Sequence, residues 1–198
     1  MLALEAMFHN YGKLRARLFT FLLAGQFAQF GSSSRIAPPF RFWGLDQVSL
    51  GEGVIIHRDC WIVIAGDKGV PAIKLVIGSH SGIGMGATIA AAQRVVLGEN
   101  VLLARNVYIA DHGHGFSDPD RPIMDQGIDN IKPVAIGRNS WLGQNAVVLP
   151  GVTIGEHCVI GANSVVNRSI PDFSIAVGTP ARVVKTFNRQ TKRWEKFT

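Results

Sequence analysis

The sequence predicts an all-β chain wound into a coil of short parallel strands and preceded by a helix. Three observations lead there. An aliphatic residue recurs at every sixth position at Ile136, Leu142, Val148, Ile154, Ile160 and Val166. A glycine follows it directly at Gly137, Gly143, Gly155 and Gly161. The 198 residues include 22 Gly and 9 Pro, too few for collagen, too many for a coiled coil, and suited to frequent tight corners. A period of six fits neither the 3.6 residues of a helical turn nor simple strand alternation. It fits a three-sided coil, with a corner every six residues, inward columns of aliphatic side chains and ladders between successive coils.

In chain order, residues 1–47 read as a helix and lead-in. The apolar stretch from Leu18 to Phe30 is interrupted by Thr20, Gln26 and Gln29. At about 13 residues it is too short to cross a bilayer, which needs roughly 20. It ends in Gln-Phe-Gly rather than a small-residue cleavage site, so it reads as an amphipathic helix rather than a targeting segment. Residues 48–185 read as the coil. Weak copies of the repeat stand at Leu50-Gly51 and Ile56-His57, and clear ones at Ile77-Gly78, Ile83-Gly84 and Ile89-Ala90. The pattern slips by two residues and resumes at Leu97-Gly98, Leu103-Ala104 and Ile109-Ala110. Residues 111–132, with Pro119, Pro122 and several aspartates, read as a loop. Residues 186–198 read as a basic C-terminal tail.

Composition narrows the function. With 47% apolar and 17% charged residues the chain is not disordered. The net charge of +6 sits at the ends: four basic groups against one acid in residues 1–35, and six against one in residues 181–198. A nucleic-acid-binding domain would spread positive charge over its body; this distribution suits a membrane surface or a small anionic ligand near the C-terminus. Cys60 and Cys158 form neither a disulfide framework nor a zinc-ligand spacing, so a reducing compartment is expected.

With these repeats, the Asp111-His112-Gly113-His114 motif and the ending Val177-Gly178-Thr179-Pro180-Ala181-Arg182, the chain resembles the hexapeptide-repeat acyltransferases, and among them the sugar O-acetyltransferases. The resemblance covers about residues 48–185. It implies a left-handed parallel β-helix, where general crossover rules favour the right hand. It also implies acetyl-CoA as co-substrate with no metal, a homotrimer with active sites between protomers, and a saccharide or lipid-linked saccharide acceptor. Surface polysaccharide biosynthesis in the cytoplasm is the implied setting, and the basic, apolar N-terminal helix adds an expectation of peripheral contact at the inner face of the membrane.

His114 is the leading catalytic candidate. It lies where a regular coil gives way to a polar loop, imidazole titrates near neutral pH, and its position matches the family's catalytic histidine. His112 is the second candidate, as acceptor ligand or as the base itself. Asp111 is a candidate to orient an imidazole, with Asp118 and Asp125 weaker ones. By position in the family motif, Gln144 and Ala162 line the pantetheine arm, and Asn167, Arg168, Arg182 and Lys185 lie toward the nucleotide, while Trp141 either walls the thioester site or packs on the coil surface. A solvated basic tail is the plainer reading of Arg182 and Lys185.

Other chemistries are weaker. A three-histidine zinc site of the carbonic-anhydrase type would need His80 with His112 and His114, whose spacing departs from that pattern. Nothing in sequence activates Cys60 or Cys158 for an acyl-enzyme, so direct transfer is expected. Gly82 to Gly86 lacks the strand-to-helix context of a phosphate loop. Gly84 to Ala87 also lacks the asparagine with which galactoside-type relatives bind acceptor, which leaves the acceptor open. A xenobiotic, serine or amino-sugar acetyltransferase of the same fold is one alternative, and a non-catalytic scaffold another.

Overall fold

A computed structural model describes residues 2–65 and 73–197. Helix α1 (Leu2–Ala24) ends at a turn in which the Gln26 N–H donates to the Leu23 carbonyl. The chain then winds through six full coils. The first holds β1 (Gln29–Phe30), β2 (Arg35–Ile36) and β3 (Phe40–Trp43). The second holds β4 (Val48–Leu50), β5 (Ile55–Ile56) and β6 (Cys60–Ile64), and the third β7 (Leu75–Ile77), β8 (Gly82–Ile83) and β9 (Thr88–Ala91). The fourth holds β10 (Val95–Leu97), β11 (Leu102–Leu103) and β12 (Tyr108–Ala110). A loop carrying β13 (Gly113–His114) and β14 (Ile128–Asp129) follows. The fifth coil holds β15 (Val134–Ile136), β16 (Trp141–Leu142) and β17 (Val147–Val148), and the sixth β18 (Thr153–Ile154), β19 (Val159–Ile160) and β20 (Val165–Val166). Strands β21 (Ser174–Gly178), β22 (Ala181–Asn188) and β23 (Arg193–Lys196) close the chain.

Three parallel faces result. The first is β1-β4-β7-β10-β15-β18, the second runs from β2 through β19 to β21, and the third is β3-β6-β9-β12-β17-β20. Registers stack Leu50, Ile77, Leu97, Ile136 and Ile154 on the first face, Ile56, Ile83, Leu103, Leu142 and Ile160 on the second, and Ile62, Ile89, Ile109, Val148 and Val166 on the third. All are almost completely buried. At about 1.5–3 kcal/mol per buried side chain of this kind, these columns are the main source of stability. The six-residue period is therefore the spacing of inward positions around a triangle.

The corners explain the small and amide-bearing residues. At the corner between the second and third faces, Asn106, Asn145 and Asn163 adopt φ of 57°, 58° and 57°, a left-handed conformation asparagine tolerates. Their side chains form a ladder: Asn106 Nδ2 donates to Asn145 Oδ1 (3.2 Å) and Asn145 Nδ2 to Asn163 Oδ1 (2.9 Å). Between the first and second faces, buried serines tie the first coil to the second, the third to the fourth and the fifth to the sixth. Ser140 Oγ donates to the Gly155 carbonyl and accepts from the Cys158 N–H, and Ser34 and Ser81 repeat the arrangement. Gly137 follows an inward isoleucine because a Cβ there would sit 2.5 Å from the Glu156 nitrogen of the next coil.

Two boundaries differ from the sequence expectation. The β-helix begins at Gln29, not at 48. Phe30, Ile36 and Phe42 keep the six-residue period, but with phenylalanine at two aliphatic positions. Residues 186–198 are not a bare tail: β22 pairs antiparallel with β21 and with β23, extending the second face. Phe187 packs edge-on against Trp194, and the Arg189 guanidinium lies 4.3 Å above the Phe173 ring.

Helix α1 closes the opposite end. The Ile36 N–H points away from the second coil and donates to Thr20 Oγ1 (2.9 Å), whose hydroxyl donates to the Ala16 carbonyl (2.7 Å). The helix stands where a preceding coil would have paired, and Phe19, Leu23 and Phe27 pack on the core there.

Candidate active site

The loop leaves the prism between the fourth and fifth coils, at the corner between the third and first faces. It does so without disturbing the stack, since β10 still pairs with β15, β11 with β16 and β12 with β17. Asp111 anchors its start. This carboxylate is fully buried. Oδ1 accepts the Ala92 N–H and Oδ2 accepts those of Gln93 and Arg94, each at 2.7 Å. Those three residues form the widened corner between β9 and β10, where the repeat slips by two positions. The slip is the sequence trace of this nest of amides, which sequence reasoning did not connect to Asp111.

His112 Nδ1 lies 2.7 Å from the same Asp111 Oδ1, and its ring is largely buried. A carboxylate already taking three amide N–H bonds is an acceptor for the ring too, so Nδ1 donates and Nε2 keeps the lone pair. The imidazole oriented by Asp111 is thus that of His112. His114 stands two residues on, exposed, with its backbone in β13 paired across to Ile128 of β14. Among the described residues its ring has no hydrogen-bond partner. The rest of the loop is self-supporting. Gln126 accepts from the Asp118 N–H and donates to the carbonyls of Asp118 and Arg121, while Asp118 Oδ1 takes the Asp120 N–H. Asp118 holds the loop rather than a histidine, and Asp125 lies in a short 3-10 turn (Ile123–Asp125).

The remaining candidates lie elsewhere on the prism. Gln144 and Ala162 are neighbours on the corner between the second and third faces, where the Asn163 N–H donates to the Gln144 carbonyl (2.8 Å). Trp141 points outward from the second face, in register with Leu102 and Val159 and about half exposed. Arg182 and Lys185 are exposed on β22, three strands further along the same face. Asn167 and Arg168 follow β20 on the same corner as His114, two coils further along, a rise of about 10 Å. Within one chain, then, the width of the third face separates the two histidines from Gln144 and Ala162.

His80 sits at the corner between the first and second faces with φ 61°, away from the corner holding His112 and His114. No group of three metal-ligating side chains gathers among the described residues. Both cysteines are buried. Burial pushes the Cys60 thiol up to about 11, and raises that of Cys158 as well. Cys60 Sγ donates to the Gly84 carbonyl and Cys158 Sγ to that of Pro171. Both are packed neutral thiols, poor nucleophiles at neutral pH.

Residues 133–168 match the family model of the bacterial transferase hexapeptide, six repeats. Over 114 residues the chain is 42% identical to WbbJ of Escherichia coli (strain K12), a protein named for lipopolysaccharide biosynthesis O-acetyl transfer, covering 54% of this chain and 58% of WbbJ. Over 130 residues it is 35% identical to the galactoside O-acetyltransferase of the same organism, covering 63% of each. The chain thus spans less than two thirds of these relatives. Among solved structures, the N-acyltransferase AntD of Bacillus cereus, in complex with dTDP and 3-hydroxybutyryl-CoA, superposes with a TM-score of 0.72 at 22% identity, covering 86% of this chain and 88% of that one. PerB of Caulobacter crescentus, in complex with CoA and GDP-perosamine, superposes with a TM-score of 0.56 at 28% identity, covering 78% and 58%. The fold is the left-handed parallel β-helix that the family resemblance implied.

Proposed function

The chain belongs to the hexapeptide-repeat acyltransferase superfamily, and from that membership we propose that it is an acetyl-CoA-dependent O-acetyltransferase acting on a sugar hydroxyl. One observation carries the reading: at the corner between the fourth and fifth coils the prism opens to present His112 and His114 on a loop anchored through Asp111. His114 takes the proton of the acceptor hydroxyl. The oxygen attacks the thioester carbonyl, and the tetrahedral intermediate expels CoA as a thiolate, which takes up the proton. A backbone N–H at the protomer boundary stabilises the oxyanion. The transfer is direct, in keeping with the two buried thiols. Relatives named for O-acetyl transfer, and PerB with CoA and a nucleotide-linked sugar, support the substrate classes. Surface polysaccharide synthesis is the setting that the name of WbbJ supports.

A second reading of the base has its own support. His112 alone has its tautomer set by a carboxylate, so its Nε2 is the better prepared lone pair. Release of free CoA from acetyl-CoA, measured against sugars, nucleotide-linked sugars and lipid-linked saccharides, tests the function. No release with any saccharide, together with release on an antibiotic, serine or amino sugar, would move the acceptor class.

The site is complete only between copies. Gln144, Ala162 and Trp141 of one protomer would face the histidine corner of the next, which supports a homotrimer. The outward columns of Ile55, Leu102 and Trp141 on the second face, and of Trp61 and Tyr108 on the third, are the apolar surface such packing would cover.

A further inference from the structure

Helix α1 presents two apolar faces, and the β-helix uses one. Thr20 and Leu23 turn to the first coil. Leu4, Met7, Tyr11, Leu14, Leu18 and Phe21 form a second stripe, all more than half exposed. Their spacing of three and four residues keeps them on one side from Leu4 to Phe21, about 26 Å of the helix. Soluble surfaces rarely leave a continuous apolar strip of this size uncovered.

Charge identifies the occupant. The cations of the helix are Lys13, Arg15 and Arg17, and Glu5 is its one acid. Arg15 and Arg17 border the stripe. A second copy of the helix packed along the same seam would bring more arginine and no acid to these positions. Beside the helix runs a groove of about 520 Å³ lined by Phe8, His9, Lys13, Arg35, His57 and Arg58, again apolar and cationic. Among the described residues no helix is long and apolar enough to cross a membrane. A surface that is apolar beneath and negatively charged at its rim satisfies both features, with the helix lying in its plane.

We propose that α1 docks the protein on an anionic lipid surface, with the stripe seated among the acyl chains and Arg15 and Arg17 at the headgroups. The proposal stands apart from the acyl-transfer reading, because it concerns binding alone.

The full chain is sedimented with vesicles of phosphatidylcholine, and of phosphatidylcholine with phosphatidylglycerol, across a salt series. The expected result is partition onto the anionic vesicles that weakens with salt. Leu14→Ser with Leu18→Ser lowers it by about tenfold or more, with the particle mass by light scattering unchanged. Arg15→Gln with Arg17→Gln leaves the stripe whole and lowers the anionic preference, which keeps the test intact should the leucine variant misfold. Absence of wild-type binding to anionic vesicles overturns the proposal. So does a fall in particle mass in the leucine variant, which would assign the stripe to a second copy.

Discussion

His112 and His114 are separated by one glycine but live in different environments. One is held by a buried carboxylate and the other stands free on a hairpin edge. The substitutions that distinguish them follow from this. His114→Ala is expected to lower the rate of CoA release by about 100-fold or more without lowering thermal stability, since general-base catalysis contributes 10²–10⁴ and the ring supports no packing. Should His112→Ala abolish turnover while His114→Ala does not, the base is His112. Asp111→Asn removes a charged acceptor from three amides and is expected to destabilise the fold by about 1–3 kcal/mol as well as to release His112. The two thiols make a separate prediction. Burial holds Cys60 near 11 against an ordinary 9.0. Its contribution is fully present below about pH 9 and is lost as pH rises through 11, because the unfolded thiol ionises first; the loss is up to about 2–3 kcal/mol. Urea melts at pH 8 and pH 11 measure it, with Cys60→Ala as the control whose alkaline loss is smaller.

The elements were unequally legible. The fifth and sixth coils could be read residue by residue, because every inward position is aliphatic and most corners carry glycine or asparagine. The first coil is not legible from an Ile, Leu and Val period because Phe30 and Phe42 stand at two of its aliphatic positions. Strands β22 and β23 are not legible because, beyond Ala181 and Val183, their Arg, Lys and Glu residues lie on a largely exposed antiparallel ribbon that imposes no pattern. The amide nest for Asp111 escaped because its only trace is a two-residue slip, and a slip does not say what fills it. The boundary between helix and coil can be tested. Thr20 is the one hydroxyl that replaces a missing strand at Ile36, and Thr20→Val keeps the shape while leaving that buried N–H unpaired. A loss of about 1–3 kcal/mol is expected, with α1 still helical by circular dichroism.

At the scale of the whole molecule, the candidate residues fall on two corners and along the second face of the prism, and a single chain does not bring them together. A particle of about 64 kDa is expected in solution, three chains of 21.4 kDa, and sedimentation equilibrium measures it. Charge reversal at Arg182 and Lys185 is expected to raise the KM for acetyl-CoA about tenfold or more with little change in kcat, since both would meet phosphates far from the reacting carbonyl. The loop between the fourth and fifth coils has a wider consequence. All three ladders run past it in unshifted register, so the segment beyond its Asp111 anchor, residues 113–131, is structurally a cartridge: the scaffold does not depend on what that cartridge contains. Exchanging it among homologues should therefore retarget the chemistry while leaving the melting temperature nearly untouched, and diversification of acceptors in such chains would be concentrated in this one replaceable insert.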